Sequence, residues 1–268
     1  MEQQGQLAVS GGARIAYTVY GPASGAPVCF CPGLGGTQLG YAADAEHFAE
    51  RGYRAITFDL RAFGESTPPD VVEPSAFTLR VLAEDFVALL DHLDIPQAHY
   101  VGNSLGGVIG LEAIRSHPDR VRSFTSFGTT YHLSLPKLTV SMQYWTNRVI
   151  GPKRMPAFVA RNSSTYEEAR SIVQKMFEGY PVLAGRCIGY GIYRYDYREV
   201  ARSWGKPILL IQGGLDRSIN RQLSSTLEAL SARDHFELRA VPEAGHFANL
   251  DRPDEFRGLV GEFLENAA

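Results

Sequence analysis

Short apolar runs alternate with amphipathic stretches along most of this 268-residue chain. The runs at 27–31, 54–58 and 98–101 are short and apolar and end at turn residues, which is typical of buried strands. Between them, apolar positions over 41–51 and 78–93 recur with the period of a helix. Strands that alternate with helices predict an α/β fold, in which a mostly parallel twisted sheet has helices on both faces.

The two ends of the chain complete this pattern. Segments 7–10 and 14–20, separated by a glycine-rich turn, predict an antiparallel β-hairpin at one edge of the sheet. The remaining strands and the closing helix are predicted at 121–127, 207–211, 236–241 and 253–264. The sheet is therefore expected to have eight strands.

The region from 133 to 204 has helical periodicity, no convincing strand, and a length that excludes a simple loop. We expect it to form a helical cap, the cap segment, inserted between a first core part (1–132) and a second core part (205–268). Its aromatic side chains are expected to pack within the cap or against the core, with some of them facing a cleft. They are Tyr144, Trp145, Phe158, Phe177, Tyr180, Tyr190, Tyr193, Tyr195 and Tyr197.

The composition of the chain argues against several classes of function. The formal net charge is −3 and the basic residues are dispersed among acidic ones, so we expect no nucleic-acid and no membrane partner. The first residues lack the pattern of a signal peptide, and no apolar run approaches the length of a membrane span, which predicts a soluble, cytoplasmic protein. We expect it to be a monomer or a homodimer. Cys29, Cys31 and Cys187 are interpreted as small buried hydrophobes, and no cofactor or metal is expected.

Gly102-Asn103-Ser104-Leu105-Gly106 lies between a predicted strand and a run of small residues typical of a helix. A sharp strand-to-helix turn of this kind is a nucleophile elbow, which projects the central serine above the sheet. The turn also places the amide of Leu105 at a helix N-terminus, where it can donate to an oxyanion. Ser104 is therefore the candidate nucleophile.

A serine hydroxyl needs a base to remove its proton and an acid to orient that base. Of the seven histidines, His246 follows the last predicted strand and precedes the closing helix, at the sheet edge where the elbow lies. Asp216 follows the preceding strand, and the chain order nucleophile, acid, histidine matches the elbow architecture. Arg217 offers Asp216 an alternative partner in a structural ion pair.

An acyl-transfer site also needs a second donor for the oxyanion. The glycine-rich segment 32–37 follows the third strand, and its glycines allow close approach of the backbone to a substrate. The amide N–H of Leu34 is the expected second donor, together with that of Leu105.

Taken together, these segments resemble the α/β-hydrolase family over nearly the whole chain, in the style of capped bacterial serine esterases, 3-oxoadipate enol-lactonases and meta-cleavage hydrolases. The matching segments are Pro32-Gly33-Leu34-Gly35-Gly36, residues 59–66, the elbow at 102–106 and Gly245-His246. Pro32 stands where the family usually has histidine, and Ala62 replaces a glycine, which suggests a slightly different bend. Asp59 and Arg61 are interpreted as structural residues beneath the site.

The resemblance implies a hydrolase that cleaves a small apolar ester or lactone through an acyl-enzyme on Ser104. Two alternatives stay open. Gly102 to Gly107 also suits a carbon–carbon bond hydrolase acting on a vinylogous diketone, although Phe247 stands where those enzymes tend to have tryptophan. A ligand sensor that turns over slowly would keep the same residues.

Overall fold

Ten strands form the β-structure of the computed structural model, which describes residues 2–267. Eight of them form one sheet in the order β1-β2-β4-β3-β5-β6-β9-β10, and β7 pairs with β8 in a separate two-stranded sheet. In chain order they are β1 (Glu2–Ala8), β2 (Arg14–Tyr20), β3 (Pro27–Cys31), β4 (Arg54–Phe58), β5 (Ala98–Asn103), β6 (Val121–Phe127), β7 (His132–Ser134), β8 (Arg194–Asp196), β9 (Ile208–Gly213) and β10 (Phe236–Val241). Only β1 with β2 and β2 with β4 are antiparallel in the large sheet, so the predicted mostly parallel, eight-stranded fold is confirmed.

Helices cover both faces of the large sheet. On one face, α1 and α12 contribute Phe48 and Phe256 to a core with the strands. On the other, α2 and α3 bury Phe86 and Ile109. The helices are α1 (Ala42–Glu50), α2 (Leu79–His92), α3 (Leu105–Ser116), α4 (Leu138–Ile150), α5 (Met155–Ser163), α6 (Glu167–Met176), α7 (Val182–Ile192), α8 (Arg198–Ser203), α9 (Arg217–Asn220), α10 (Ser224–Leu230), α11 (Ala248–Asp251) and α12 (Pro253–Asn266). Short 3-10 turns lie at Ser10–Gly12, Gln38–Tyr41, Pro74–Phe77 and Pro118–Arg120.

The cap segment contains five helices, α4 to α8, but it also contains strand, which the sequence pattern did not predict. β7 and β8 pair antiparallel, from His132 with Asp196 to Ser134 with Arg194. The expectation of no strand in this region was wrong because three-residue strands are too short to show an alternating pattern. The last helix of the segment, α8, packs on α3 and α10 of the core, and Tyr197 donates a hydrogen bond of 2.6 Å to the buried Glu112 of α3.

All three cysteines are buried and unpaired, as the interpretation as small hydrophobes requires. No helix within residues 2–267 combines the length and the apolar character needed to cross a bilayer.

Candidate active site

The turn from β5 into α3 has the backbone geometry of a nucleophile elbow. Ser104 has φ 50° and ψ −115°, in the left-handed region that non-glycine residues rarely adopt. Its amide donates to the carbonyl oxygen of Phe127 on β6, at 2.9 Å. A side chain at Gly106 would collide with the carbonyl oxygen of Cys31, so glycine at this position lets α3 approach β3. The elbow is therefore held between two neighbouring strands.

His246 and Asp216 come together at the same edge of the sheet. Nδ1 of His246 lies 2.7 Å from Oδ2 of Asp216, and the two side chains are 25% and 5% exposed. Oδ1 of Asp216 accepts hydrogen bonds from Ser218 Oγ at 2.8 Å and from the amide of Ile219 at 3.3 Å. Arg217 forms no ion pair with this carboxylate, so the partner of Asp216 is the histidine.

The environment of Asp216 favours its charged form. Burial alone raises the pKa of this carboxyl, but the hydrogen bond and charge of His246, with Ser218 and the Ile219 amide, hold the pKa below its ordinary value. An ionised carboxylate at Nδ1 stabilises an imidazolium and leaves Nε2 to act as the base.

Two hydrogen bonds anchor the loop that carries His246 from two sides. Asn103, the residue before Ser104, donates from Nδ2 to the carbonyl oxygen of His246 at 3.0 Å. The amide of His246 donates to the carbonyl oxygen of Ser163 at 3.3 Å. A side chain at Gly128, where φ is +60°, would reach within 2.8 Å of the Asn103 amide and 3.1 Å of the His246 ring. Asn103, Ser163 and Gly128 are thus supporting residues that sequence reasoning missed.

A third anchor of the loop is Asp251, a residue that no sequence motif identifies. The Gly245 amide donates to Oδ2 of Asp251 at 2.7 Å, and Oδ1 accepts a short hydrogen bond from Ser164 of the cap segment. Asp251 is 5% exposed, and burial raises the pKa of its carboxyl despite these donors. A buried carboxylate therefore joins the cap segment to the histidine loop. Ser164 is 87 residues away in the chain, and no motif spans that distance.

Ser104 and His246 line one cavity of about 410 Å³, a volume within the usual range for small-molecule sites. In this conformation no hydrogen bond joins Ser104 Oγ to the His246 ring, a contact that often tightens only when substrate binds. Four of the predicted cap aromatics also line the cavity, namely Phe177, Tyr180, Tyr193 and Tyr195. Trp145 and Phe158 are instead exposed at the surface.

No acidic, lysine or arginine side chain lines the cavity among the described residues. Most of the lining side chains are aliphatic or aromatic. Polar groups are confined to hydroxyls, the Asn103 amide, the His246 ring and backbone. Such a lining suits an uncharged ligand, because a buried charge without a partner is costly.

Two amides at this cavity are unused. Leu34 and Leu105 both line it, and within residues 2–267 neither backbone N–H donates a hydrogen bond. Leu105 is the first residue of α3, where an N–H group has no intrahelical acceptor and points along the helix dipole. These N–H groups are therefore free to bind an oxygen ligand.

The segment at 59–66 lies beneath the site rather than in it. Asp59 accepts hydrogen bonds from the amides of Gln38 at 2.7 Å and Glu65 at 2.9 Å. Arg61 is buried and donates from Nε to Asp85 at 2.7 Å. Ala62 has φ 70°, so it adopts the left-handed backbone that a glycine would take readily and does so at a cost in strain. The difference in bend expected at Ala62 stays a prediction.

Comparison with known proteins agrees with the architecture. A model of the α/β-hydrolase fold matches residues 26–253. Bifunctional epoxide hydrolase 2 of Sus scrofa is 22% identical over 313 aligned residues, covering 98% of this chain and 55% of that protein, so the chain spans about half of its length. 3-Oxoadipate enol-lactonase 2 of Acinetobacter baylyi is 25% identical, covering 91% of this chain and 90% of that protein.

A solved hydrolase from Pseudomonas aeruginosa PA01 superposes with a TM-score of 0.83 at 25% identity, covering 97% of this chain and 98% of that one. The family model covers most of the chain, and the strand order, the elbow geometry and the structural match agree with it. The chain belongs to the α/β-hydrolase fold family.

Proposed function

We propose that this protein is a serine hydrolase that cleaves a small, uncharged carboxylic ester or lactone through a Ser104–His246–Asp216 triad and an acyl-enzyme. One observation supports the proposal most strongly. Nδ1 of His246 lies 2.7 Å from Oδ2 of the buried Asp216, and His246 and Ser104 line the same cavity. The similarity to an enol-lactonase and to a solved hydrolase supports the same class of reaction.

In the proposed reaction, Ser104 Oγ attacks the carbonyl carbon while Nε2 of His246 takes the hydroxyl proton. The carbonyl electron pair moves to its oxygen, which the N–H groups of Leu34 and Leu105 stabilise. The tetrahedral species collapses, the bond to the alcohol oxygen breaks, and His246 returns the proton to that oxygen. A water molecule then repeats these steps on the acyl-enzyme and releases the acid.

The cavity lining restricts the substrate class within this proposal. The enol-lactone of a dicarboxylic acid such as 3-oxoadipate keeps one free carboxylate, which would meet no Lys or Arg among the described lining residues. Burying a charge unpaired costs several kcal/mol, and about 3 kcal/mol corresponds to roughly a hundredfold in kcat/KM. We therefore expect neutral esters and lactones to be preferred over their carboxylate analogues by at least that factor.

Intact-protein mass spectrometry with a fluorophosphonate probe tests the nucleophile. Attack by Ser104 Oγ on phosphorus with loss of fluoride should give one adduct, which Ser104→Ala abolishes. Ser116→Ala, at the other end of α3, is the matched control and should still be labelled. Absence of an adduct on the folded wild-type protein would contradict the proposal and favour the ligand-sensor alternative.

Steady-state kinetics on paired substrates test the specificity. An ester whose acyl chain ends in a carboxylate and the same ester ending in a primary carboxamide have nearly the same size and differ in formal charge. Equal kcat/KM values for the two would contradict the restriction to uncharged substrates, while labelling of Ser104 would still stand.

A further inference from the structure

Helix α4 of the cap segment carries an apolar stripe that faces solvent. Its members are 59% to 83% exposed: Leu138, Met142, Trp145 and Val149. Their spacing of four, three and four residues places them on one narrow face of the helix. Val140, on the opposite face, is buried and lines the cavity. The stripe is therefore the outer surface of a helix whose inner surface forms part of the substrate cavity.

The chain segment that carries this stripe has charged side chains of a single sign. From Tyr131 to Tyr166 the chain contains no Asp or Glu, although the whole chain has a net charge of −3. The five Lys and Arg residues of this stretch are exposed, and in the described part of the chain none of them forms an ion pair. They are Lys137, Arg148, Lys153, Arg154 and Arg161.

We propose that α4 and its flanking basic residues form a docking surface for an anionic lipid bilayer. A surface helix with Trp, Leu and Met on one face and basic residues around it is the pattern of an interfacial helix, which lies in the headgroup region without crossing the bilayer. The uniform positive charge complements anionic headgroups and accounts for the choice of a lipid surface over a second copy, since two such basic faces would repel one another.

The same helix connects this surface to the cavity. Leu135, three residues before α4, lines the cavity and is also 38% exposed, so the cavity reaches the surface beside the start of the helix. A docked bilayer would place this opening at the lipid boundary, where uncharged acyl compounds concentrate. The docking itself does not require the proposed chemistry, and it can be measured in Ser104→Ala.

Tryptophan fluorescence gives a direct test because the chain has only two tryptophans. Trp204 is 7% exposed whereas Trp145 is 60% exposed, so Trp204→Phe leaves a single reporter in the stripe. With vesicles of equal parts phosphatidylglycerol and phosphatidylcholine, we expect the Trp145 emission to shift to shorter wavelength. With pure phosphatidylcholine, or at 1 M salt where charges are screened within about 3 Å, the shift should be lost.

Vesicle flotation of the protein without Trp204→Phe separates the contribution of charge from that of apolar contact. Each basic residue near an anionic surface contributes about fivefold in partitioning, so Lys153→Glu/Arg154→Glu should weaken binding by at least about tenfold. Met142→Ser/Val149→Ser should weaken it comparably by removing apolar contact. Matched controls elsewhere are Arg80→Glu/Arg202→Glu for charge and Val71→Ser for an exposed apolar side chain, and these should retain binding.

Three results would overturn the proposal. The first is no flotation with anionic vesicles, and the second is equal binding to neutral vesicles. The third is a dimer in sedimentation velocity that is lost in Met142→Ser/Val149→Ser, together with a shift of the Trp145 emission that occurs without vesicles. That result would assign the stripe to a second copy of the chain.

Discussion

Replacing Asp251 tests whether the carboxylate behind the histidine loop sets the catalytic rate. Asp251→Ala removes the acceptor of the Gly245 amide, 2.7 Å away, and the acceptor of the Ser164 hydroxyl. Ser164 is buried and Gly245 is partly buried, and an unsatisfied buried group costs about 1–3 kcal/mol. The expected loss of folding free energy is therefore about 1–4 kcal/mol, most of it from the Ser164 hydroxyl.

Asp251→Asn is the milder variant. Its amide oxygen can still accept from Gly245 and its NH₂ can donate to Ser164 Oγ, so only the charge assistance is lost. We expect a cost of about 1–2 kcal/mol, which leaves the protein folded at ordinary temperatures. This variant separates positioning from loss of the fold.

The catalytic effect follows from the neighbouring position of His246. If Gly245 loses its anchor, the His246 ring can move relative to Ser104, and a displacement of about 1 Å costs about a hundredfold in rate. Asp251 does not line the cavity, so the effect should fall on kcat rather than on KM. The assay is steady-state hydrolysis of a neutral ester, with the folded fraction measured in parallel by circular dichroism.

Thr226→Val is the matched control. It removes the acceptor of another buried backbone amide, that of Tyr131 at 2.9 Å, and neither residue lines the cavity. It should lower stability by about 1–3 kcal/mol without changing kcat. Wild-type kcat in both Asp251 variants, measured while they are folded, would refute the positioning argument.

Three further predictions concern the fold. Ala62→Gly should raise the free energy of unfolding in urea by about 0.5–1 kcal/mol, because relief of left-handed strain exceeds the added chain entropy; a loss of stability would contradict the strain. Arg61→Met leaves Asp85 buried and unpaired and should cost about 3–5 kcal/mol, much of which Arg61→Met/Asp85→Leu should restore in the same urea assay. Burial raises the pKa of Asp44 from 3.8 to about 6 against the hydrogen bonds of Asn249 and Arg257. The native state then binds the Asp44 proton more tightly than the unfolded chain does. The contribution of Asp44 to the free energy of unfolding, about 3 kcal/mol, is therefore largest below about pH 4 and is lost as the pH rises through 6. Asp44→Asn should flatten this decline in unfolding measurements, and an unchanged slope would refute it.

The strand and helix pattern was readable from local sequence because each element depends on short-range periodicity. The helix predicted over 78–93 is observed as α2, Leu79–His92, with Thr78 as its N-cap. The predicted elbow depends on five adjacent residues, and its strained serine is observed. The short pair β7 and β8 escaped prediction because residues 135–193 separate its two strands and each strand is too short to show alternation.

The net charge of the whole chain does not reveal how charge is distributed along it. The net charge of −3 predicts no membrane partner, yet the distribution along 131–166 led us to propose one. An amphipathic pattern identifies an apolar face but does not say whether that face is covered. In α4, Val140 turns inward and the stripe from Leu138 to Val149 turns outward, and only the packing of the helix distinguishes them.

The sequence by itself determined the elements, their order, and the candidates Ser104, Asp216 and His246, because these follow from local backbone preferences and from the order of loops at one edge of a parallel sheet. Tertiary structure decided the partner of Asp216, the uncharged lining of the cavity and the link from Ser164 to Asp251. Those features depend on distances between residues far apart in the chain. Such distances are set by the packing of the whole core, which no local pattern encodes.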